Sequence, residues 1–177
     1  NATKIISSVF TETISTHKAV GKKVTLSVAP SLKYNAGGNK ALVNGISGSN
    51  NRYGDKEWLG FDGKDVEITI DLEKETEINS ISMRFHNGNG QWIYAPKNVF
   101  LSYTLKDGTV INTGKAIEQN DSLLVNFKIN SKDFVHQKNS IKTSKLKLTI
   151  PNYGVIPDGK QGAGHRAWLF IDEIIVE

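Results

Sequence analysis

The chain has 177 residues, 38% of them hydrophobic, and a formal net charge of +4. This size and apolar content predict one folded domain with a single core and argue against a disordered chain. Cysteine is absent, which excludes a disulfide framework, a thiolate metal site and a cysteine nucleophile. No apolar run approaches the roughly 20 residues that cross a bilayer, so the sequence predicts no membrane insertion.

The positive charge does not indicate a nucleic-acid partner. Lysines are spread thinly along the chain, and the densest cluster alternates with Leu146 and Leu148. Such alternation is typical of the solvent-facing side of a strand, whereas nucleic-acid binding favours an arginine-rich arm or a stacking platform.

Alternation of apolar and polar residues predicts strands along most of the chain. In chain order they are 24–28, 66–72, 81–85, 99–103, 123–129, 146–150 and 168–171. Glycine-containing turns such as 87–90 and 106–108 separate them, and no stretch sustains helical spacing. About eight short strands predict an all-β fold, an antiparallel jelly-roll β-sandwich. Residues 1–16 are expected to form a linker or an edge strand before a domain of residues 17–177.

No motif predicts catalysis. A glycosidase needs two carboxylates on one sugar ring, roughly 5 to 10 Å apart. Asp172 and Glu173 are neighbours on a predicted strand, where successive side chains point to opposite faces, so this pair is not expected to flank one bond. The histidines show no metal-ligand spacing: His17, His86, His136 and His165.

The segment 41–49 places oxygen-bearing groups at short intervals around Gly45 and Gly48. Calcium is bound by six or more oxygens, often from such a tight loop. A glycine turn between strands has the same appearance, so the residues alone leave a metal loop and a plain turn both open.

Several segments together resemble discoidin domains, also called coagulation factor 5/8 type C domains. They are residues 33–38, 41–46, 58–61, 70–72, 90–94, 96–99 and 162–174. The resemblance covers residues 17–177 and extends to family 32 carbohydrate-binding modules, notably those appended to bacterial glycoside hydrolases such as β-N-acetylhexosaminidases. It implies an eight-stranded jelly roll, in agreement with the strand pattern.

The resemblance also implies one structural calcium ion. Transferred by position, the expected ligands are Ala41, Asn44, Ile46, Ser49, Asp172 through its carbonyl, and Glu173. The spacing matches at every position, but Asn44 stands where the family has aspartate. With Glu173 as the only charged ligand, we expect a lower calcium affinity.

Sugar binding is implied in loops at one end of the sandwich. An aromatic ring packs on the C–H face of a sugar, and polar side chains bond its hydroxyls. Trp92, beside a glycine-rich loop, is the expected stacking ring, and a tryptophan that covers the sandwich edge is the alternative. The other candidate sugar-binding residues are Asn87, Gln91, His165, Arg166, Arg52 and Tyr53. Trp58 and Trp168 are expected in the core.

These observations predict a non-catalytic carbohydrate-binding module of a secreted bacterial glycoside hydrolase. Its expected ligands are glycans with galactose, N-acetylgalactosamine or N-acetylglucosamine, and its expected partner is the catalytic domain of the same parent chain. The expected location is outside the cell, in the periplasm or on the cell surface. The alternative is a structural accessory β-sandwich that packs on a catalytic domain and binds no sugar.

Overall fold

The computed structural model describes residues 14–135 and 139–177. Nine strands lie in this part of the chain: β1 (Lys23–Leu26), β2 (Leu59–Asp62), β3 (Val66–Ile78), β4 (Ser80–His86), β5 (Asn98–Thr104), β6 (Val110–Ala116), β7 (Leu124–Asn130), β8 (Ile141–Ile150) and β9 (Trp168–Val176). Short 3₁₀ turns occupy Leu32–Tyr34, Asn39–Val43 and Asn89–Gln91.

The strands form two sheets packed face to face. One sheet has the order β1-β3-β8-β5-β6 and the other β2-β9-β4-β7. All pairings between these strands are antiparallel, which confirms the predicted all-β sandwich. The described part of the chain contains no helix long and apolar enough to span a membrane.

The core lies between the sheets and is built from the alternating apolar residues. In β3, Val66, Ile68 and Ile70 are fully buried, while the residues between them are only partly buried. Trp58 is fully buried as predicted, and Trp168 is partly buried among aromatic rings. Burial of the apolar face of each strand drives the two sheets together.

Every predicted strand segment falls on an observed strand, but β2 and β6 were not predicted. The four residues of β2 include a glycine and are too few to show a period. No residue of β6 is buried, because it is the edge of the five-stranded sheet. Of the predicted linker or edge strand at residues 1–16, only residues 14–16 are described; they lie outside the strands, and the Ser15 N–H donates to the Gly45 carbonyl.

Four connections meet at one end of the sandwich, which we call the loop end. They are residues 27–58, 87–97, 117–123 and 151–167. His86 at the end of β4 pairs with Leu124 at the start of β7, which brings two of these connections side by side. Trp168 at the start of β9 forms a bridge with Ile93 of the 87–97 connection and contacts Tyr34 of the 27–58 connection. The 27–58 and 151–167 connections therefore reach the same end.

Gly60 is the position where the first connection packs most closely on the sheet. A Cβ atom there would lie 2.6 Å from the Phe170 ring and 2.9 Å from Tyr34 Cβ. We expect Gly60→Ala to lower the free energy of unfolding by about 1–3 kcal/mol, because the core is overpacked. Urea unfolding would measure this against Gly54→Ala, where a Cβ meets nothing within 4 Å. Equal stability of the two variants would contradict the close packing of Gly60 against Phe170 and Tyr34.

Candidate functional site

The loop end contains an open cleft of about 670 Å³, a size within the range of roughly 300–1,000 Å³ that is usual for ligand sites. Three of the predicted sugar-binding residues, Arg52, Tyr53 and Gln91, line it together. The other lining residues are Lys33, Tyr34, Asn51, Gly54, Asp55, His86 and Leu123. The structure therefore brings part of the predicted set into one place and adds residues that the sequence did not indicate.

The aromatic wall of this cleft is held by ring contacts. Tyr53 packs edge-on against Tyr34, with ring centroids 5.8 Å apart, and against Phe170 at 5.4 Å. Both tyrosines are partly exposed, while Phe170 is buried behind them. The rings are thus fixed by packing and still offer apolar surface to a ligand.

His86 is the most unusual group in the cleft. It is 1% exposed, and neither ring nitrogen makes a hydrogen bond with the described residues. Tyr53 and Trp58 contact its ring, each with centroids 5.5 Å away. Burial lowers the pKa of His86 below its ordinary value of 6.5, although the nearby Asp55 carboxylate acts in the opposite direction. A neutral imidazole with an unused donor and acceptor therefore lies at the cleft wall.

His86 was not predicted as a site residue. Alternation along β4 places Phe85 in the core and His86 on the other face. Its burial comes from Tyr53 and Trp58, which belong to the long 27–58 connection. Only tertiary packing brings these rings to the end of β4. The alternation of apolar and polar residues along the strand therefore does not predict the burial of His86.

Trp92 lies beside the cleft and not within its lining. It is 36% exposed and stacks on His165, with centroids 4.7 Å apart and planes 17° from parallel. Its φ angle is +64°, a left-handed conformation that is costly for a bulky residue and is often found at ligand sites. The pair of rings forms an exposed aromatic surface, which we call the Trp92–His165 platform.

Two predicted hydrogen-bonding residues have other partners. Asn87 is 7% exposed, and its amide donates to the Asn120 and Ser122 carbonyls and accepts from the Ala95 N–H. It thereby joins two connections, and both ends of its amide are bonded to backbone groups. Arg166 is exposed but donates to the Gly63 carbonyl at 2.7 Å, away from the cleft lining.

The Asp172–Glu173 pair departs from the expected alternation. Met83 pairs with Ile174 and Phe85 with Ile171, so Arg84 faces two residues of β9 in a β-bulge. Glu173 Oε2 accepts from the Asn44 N–H at 3.2 Å, and Asp172 accepts from the Gly48 N–H at 3.0 Å. Both carboxylates thus turn toward the 44–48 loop, and the expectation that they point to opposite faces was wrong.

Asp172 is held by Arg84 in a largely buried ion pair. The same guanidinium donates to the Gly48 carbonyl and to Asn50, an arrangement that we call the Arg84 clasp. Burial raises the pKa of Asp172 to about 6, and the nearby Glu173 adds to the rise, while Arg84 and the Gly48 N–H oppose it. One oxygen of the carboxylate, Oδ2, therefore holds the loop on the strand through Arg84 and the Gly48 N–H.

The proposed calcium ligands can be tested against this geometry. Glu173 is 2% exposed, and its Oε1 lies 2.7 Å from His17 Nε2. The other imidazole nitrogen accepts from the backbone N–H groups of Ala19 and Val176. With Nδ1 accepting, the Nε2–H of His17 donates to Glu173 Oε1. Glu173 has no Lys or Arg partner in the described part of the chain, and a buried carboxylate without such a partner fits a bound cation.

The rest of the expected ligand set surrounds the same strand. The 3₁₀ turn that contains Ala41 packs on β9, and Asn44 Oδ1 accepts from the Ile46 N–H. The Ser49 hydroxyl donates to Asn51. Residues 14–135 and 139–177 contain no group of three or more His, Asp and Glu side chains arranged for a metal, so backbone and amide oxygens would have to supply most of the coordination.

No protein-family model matches the sequence, and no curated protein matches it. Solved structures do match. A fucose-binding module of Streptococcus pneumoniae has a TM-score of 0.54 and 16% identity, over 92% of this chain and 97% of that one. The lectin domain of lectinolysin, solved with Lewis B antigen, has a TM-score of 0.57 and 12% identity, over 93% and 98%.

A chitosan-binding module from a chitosanase/glucanase of Paenibacillus sp. IK-5 also matches. Its TM-score is 0.51 and its identity 12%, over 92% of this chain and 98% of that one. At these identities the similarity establishes the fold. The chain is a β-sandwich of the same architecture as these modules along nearly its full length, with a polar and aromatic cleft at its loop end.

The depressed pKa of His86 predicts how stability depends on pH. As pH falls below about 6.5, the unfolded chain takes up a proton before the folded protein does. The stability contribution of the neutral ring is therefore complete above 6.5 and declines below it. We expect the melting temperature to fall more steeply between pH 7 and pH 5 in the wild type than in His86→Phe, which keeps an aromatic ring but cannot titrate. Parallel pH profiles for the two proteins would contradict this.

Proposed function

We propose that this domain is a non-catalytic carbohydrate-binding module that holds a parent secreted glycoside hydrolase on its glycan substrate. The observation that carries the proposal is the loop-end cleft, which combines two tyrosine rings with the unpartnered His86 imidazole. Sugars bind where an aromatic ring covers a C–H face and fixed polar groups meet the hydroxyls. Binding near the substrate raises the local concentration of the attached enzyme.

The similar structures support a glycan as the ligand class. By their descriptions they bind fucose, Lewis B antigen and chitosan, and one of them derives from a chitosanase/glucanase. Galactose, N-acetylgalactosamine and N-acetylglucosamine are further candidates from the discoidin resemblance. An extracellular, periplasmic or cell-surface location in a bacterium, with the catalytic domain of the parent chain as partner, follows from the same proposal.

Within the loop end we assign the main contacts to Tyr53, Gln91 and His86. Tyr53 supplies a fixed ring, and Gln91 is exposed beside it. Trp92 follows Gln91 directly in sequence, so a longer glycan could extend from the cleft onto the Trp92–His165 platform. We assign no direct contact to Arg166 and Asn87, because Asn87 is bonded to backbone groups and Arg166 to the Gly63 carbonyl and the Asp65 carboxylate.

Removal of the cleft ring tests the assignment. Tyr53→Leu keeps apolar packing but removes the ring, and we expect it to weaken binding of the best glycan-array ligand by about tenfold or more, by analogy with the roughly 1–3 kcal/mol found for aromatic stacking. Trp92→Ala should weaken only the binding of longer glycans. Phe100→Ala is the matched control, because Phe100 is an exposed ring, 45% accessible, on β5 of the five-stranded sheet. Calorimetric titration measures the glycan affinity of all three variants.

The outcomes separate the alternatives. Loss of binding in Trp92→Ala with unchanged binding in Tyr53→Leu would move the primary site to the Trp92–His165 platform. Absence of binding to any glycan by the wild type would favour the structural accessory domain.

We also propose that the 41–49 loop binds a calcium ion with β9. The residues that would hold it are Ala41, Asn44, Ile46, Ser49, Asp172 through its carbonyl, and Glu173. The support is the buried Glu173 carboxylate beside Asn44 and the β-bulge at Asp172, since a bulge leaves one residue out of the strand ladder. When bound, the ion would supply the positive charge that stabilises this loop on the sheet.

Calcium should therefore raise the melting temperature, and a chelator should lower it. Binding to the folded state alone adds about 2.7 kcal/mol at 100 times the dissociation constant. Asn44→Asp should enlarge the difference in melting temperature between calcium and chelator. With calcium bound, the new carboxylate strengthens coordination. Without calcium, it faces the Glu57 carboxylate, to which the Asn44 amide now donates at 2.8 Å. Asn39→Asp makes the same charge change outside the ligand set and should leave the difference unaltered. Melting curves that ignore calcium and chelator in every variant would overturn the proposal.

A further inference from the structure

We propose that the loop-end cleft selects a glycan that carries an anionic group, a uronic acid carboxylate or a sulfate ester, through Arg52 and Lys33. This inference rests on the proposed glycan-binding function and specifies the chemistry of its ligand.

Two cations from separate parts of the 27–58 connection line the cleft. Arg52 and Lys33 are both exposed, and neither is in an ion pair with the described residues. The Lys33 ammonium lies 5.2 Å from the centre of the Tyr34 ring, which keeps it at the cleft wall. Both charges are therefore available to a bound anion.

The cleft contains one carboxylate, and it has other partners. Asp55 accepts hydrogen bonds from the backbone N–H groups of Ser49 and Glu57, one on each oxygen. These bonds occupy both carboxylate oxygens and hold the 51–55 segment in place. The two lining cations outnumber it, so the charged residues of the lining sum to a net positive charge.

His86 supplies a second, independent indication. Its ring is buried, and both nitrogens are unpartnered on the same cleft wall. A buried polar group without a protein partner is rare in a folded protein, so this imidazole keeps hydrogen-bonding capacity for a molecule that enters the cleft. A neutral imidazole can donate its N–H to an oxygen of a carboxylate or sulfate.

The size and lining of the cleft favour a sugar that carries the anion over a small inorganic ion. A volume of about 670 Å³ far exceeds one oxyanion, and Tyr34, Tyr53 and Leu123 give it an apolar wall. The planar guanidinium of Arg52 can bind a carboxylate through two parallel hydrogen bonds, whereas Lys33 acts as a point charge. A carboxylate should therefore bind more tightly than a sulfate ester on the same sugar.

Titration calorimetry on the 177-residue chain tests this with three oligosaccharides of equal length. They consist of galacturonic acid, of galactose, and of galactose with sulfate esters. We expect both acidic ligands to bind about tenfold or more tightly than the neutral one at low salt, and this preference to shrink as sodium chloride screens the charges. Arg52→Gln should lower the affinity for the acidic ligands toward that for the neutral one, and should change the affinity for the neutral ligand much less. Lys33→Gln should narrow the difference between acidic and neutral ligands to a smaller extent.

The matched control is Lys106→Gln, which makes the same change in net charge in the exposed β5–β6 turn. An equal effect of Lys106→Gln and Arg52→Gln would overturn the inference, because binding would then follow net charge. Equal binding of neutral and acidic ligands, insensitive to Arg52→Gln, would also overturn it while glycan binding stood. Failure of all three ligands and of the glycan array would overturn the proposed function itself.

Discussion

The loop end depends on a set of buried charges at one irregularity of β9. The bulge at Asp172 and Glu173 turns both carboxylates toward the 44–48 loop. Arg84 compensates one of them and also donates to Gly48 and Asn50. Removing charges from water is costly unless they are paired and hydrogen-bonded, so this arrangement holds only while the loop stays on the strand. The loop is thereby fixed at its start, and the segment that follows it forms the cleft.

The cleft and this charged cluster lie along the same connection but differ in how far their polar groups are hydrogen-bonded. At its base the loop satisfies almost every polar group, with backbone N–H groups donating to carboxylates. A few residues further on, Arg52 is exposed, and His86 at the end of β4, which packs against this connection, keeps two unused nitrogens. Arg84 thus fixes the base of this connection on the sheet, whereas the polar groups beside its next residues keep free hydrogen-bonding capacity.

Sequence alone predicted the strands that bury one face, because burial imposes a period of two on β3, β4, β7 and β8. It did not predict β6, whose residues at the sheet edge are all partly or fully exposed. For the site, Arg52, Tyr53 and Gln91 were named from their loops and lie in one cleft. His86 was missed because rings distant in sequence bury it, and the turn of Asp172 was missed because alternation assumes a regular register. Local patterns report burial along a strand and are silent about packing between connections.

The positions of the tryptophans have a practical consequence. The chain contains three, and all of them lie at the loop end: Trp58 against His86, Trp92 on His165, and Trp168 beside Tyr34. Intrinsic fluorescence of the protein therefore originates from one end of the sandwich. Emission changes would report events around the cleft with little background from the opposite turns. The native chain thus contains its own optical reporter, with no label attached.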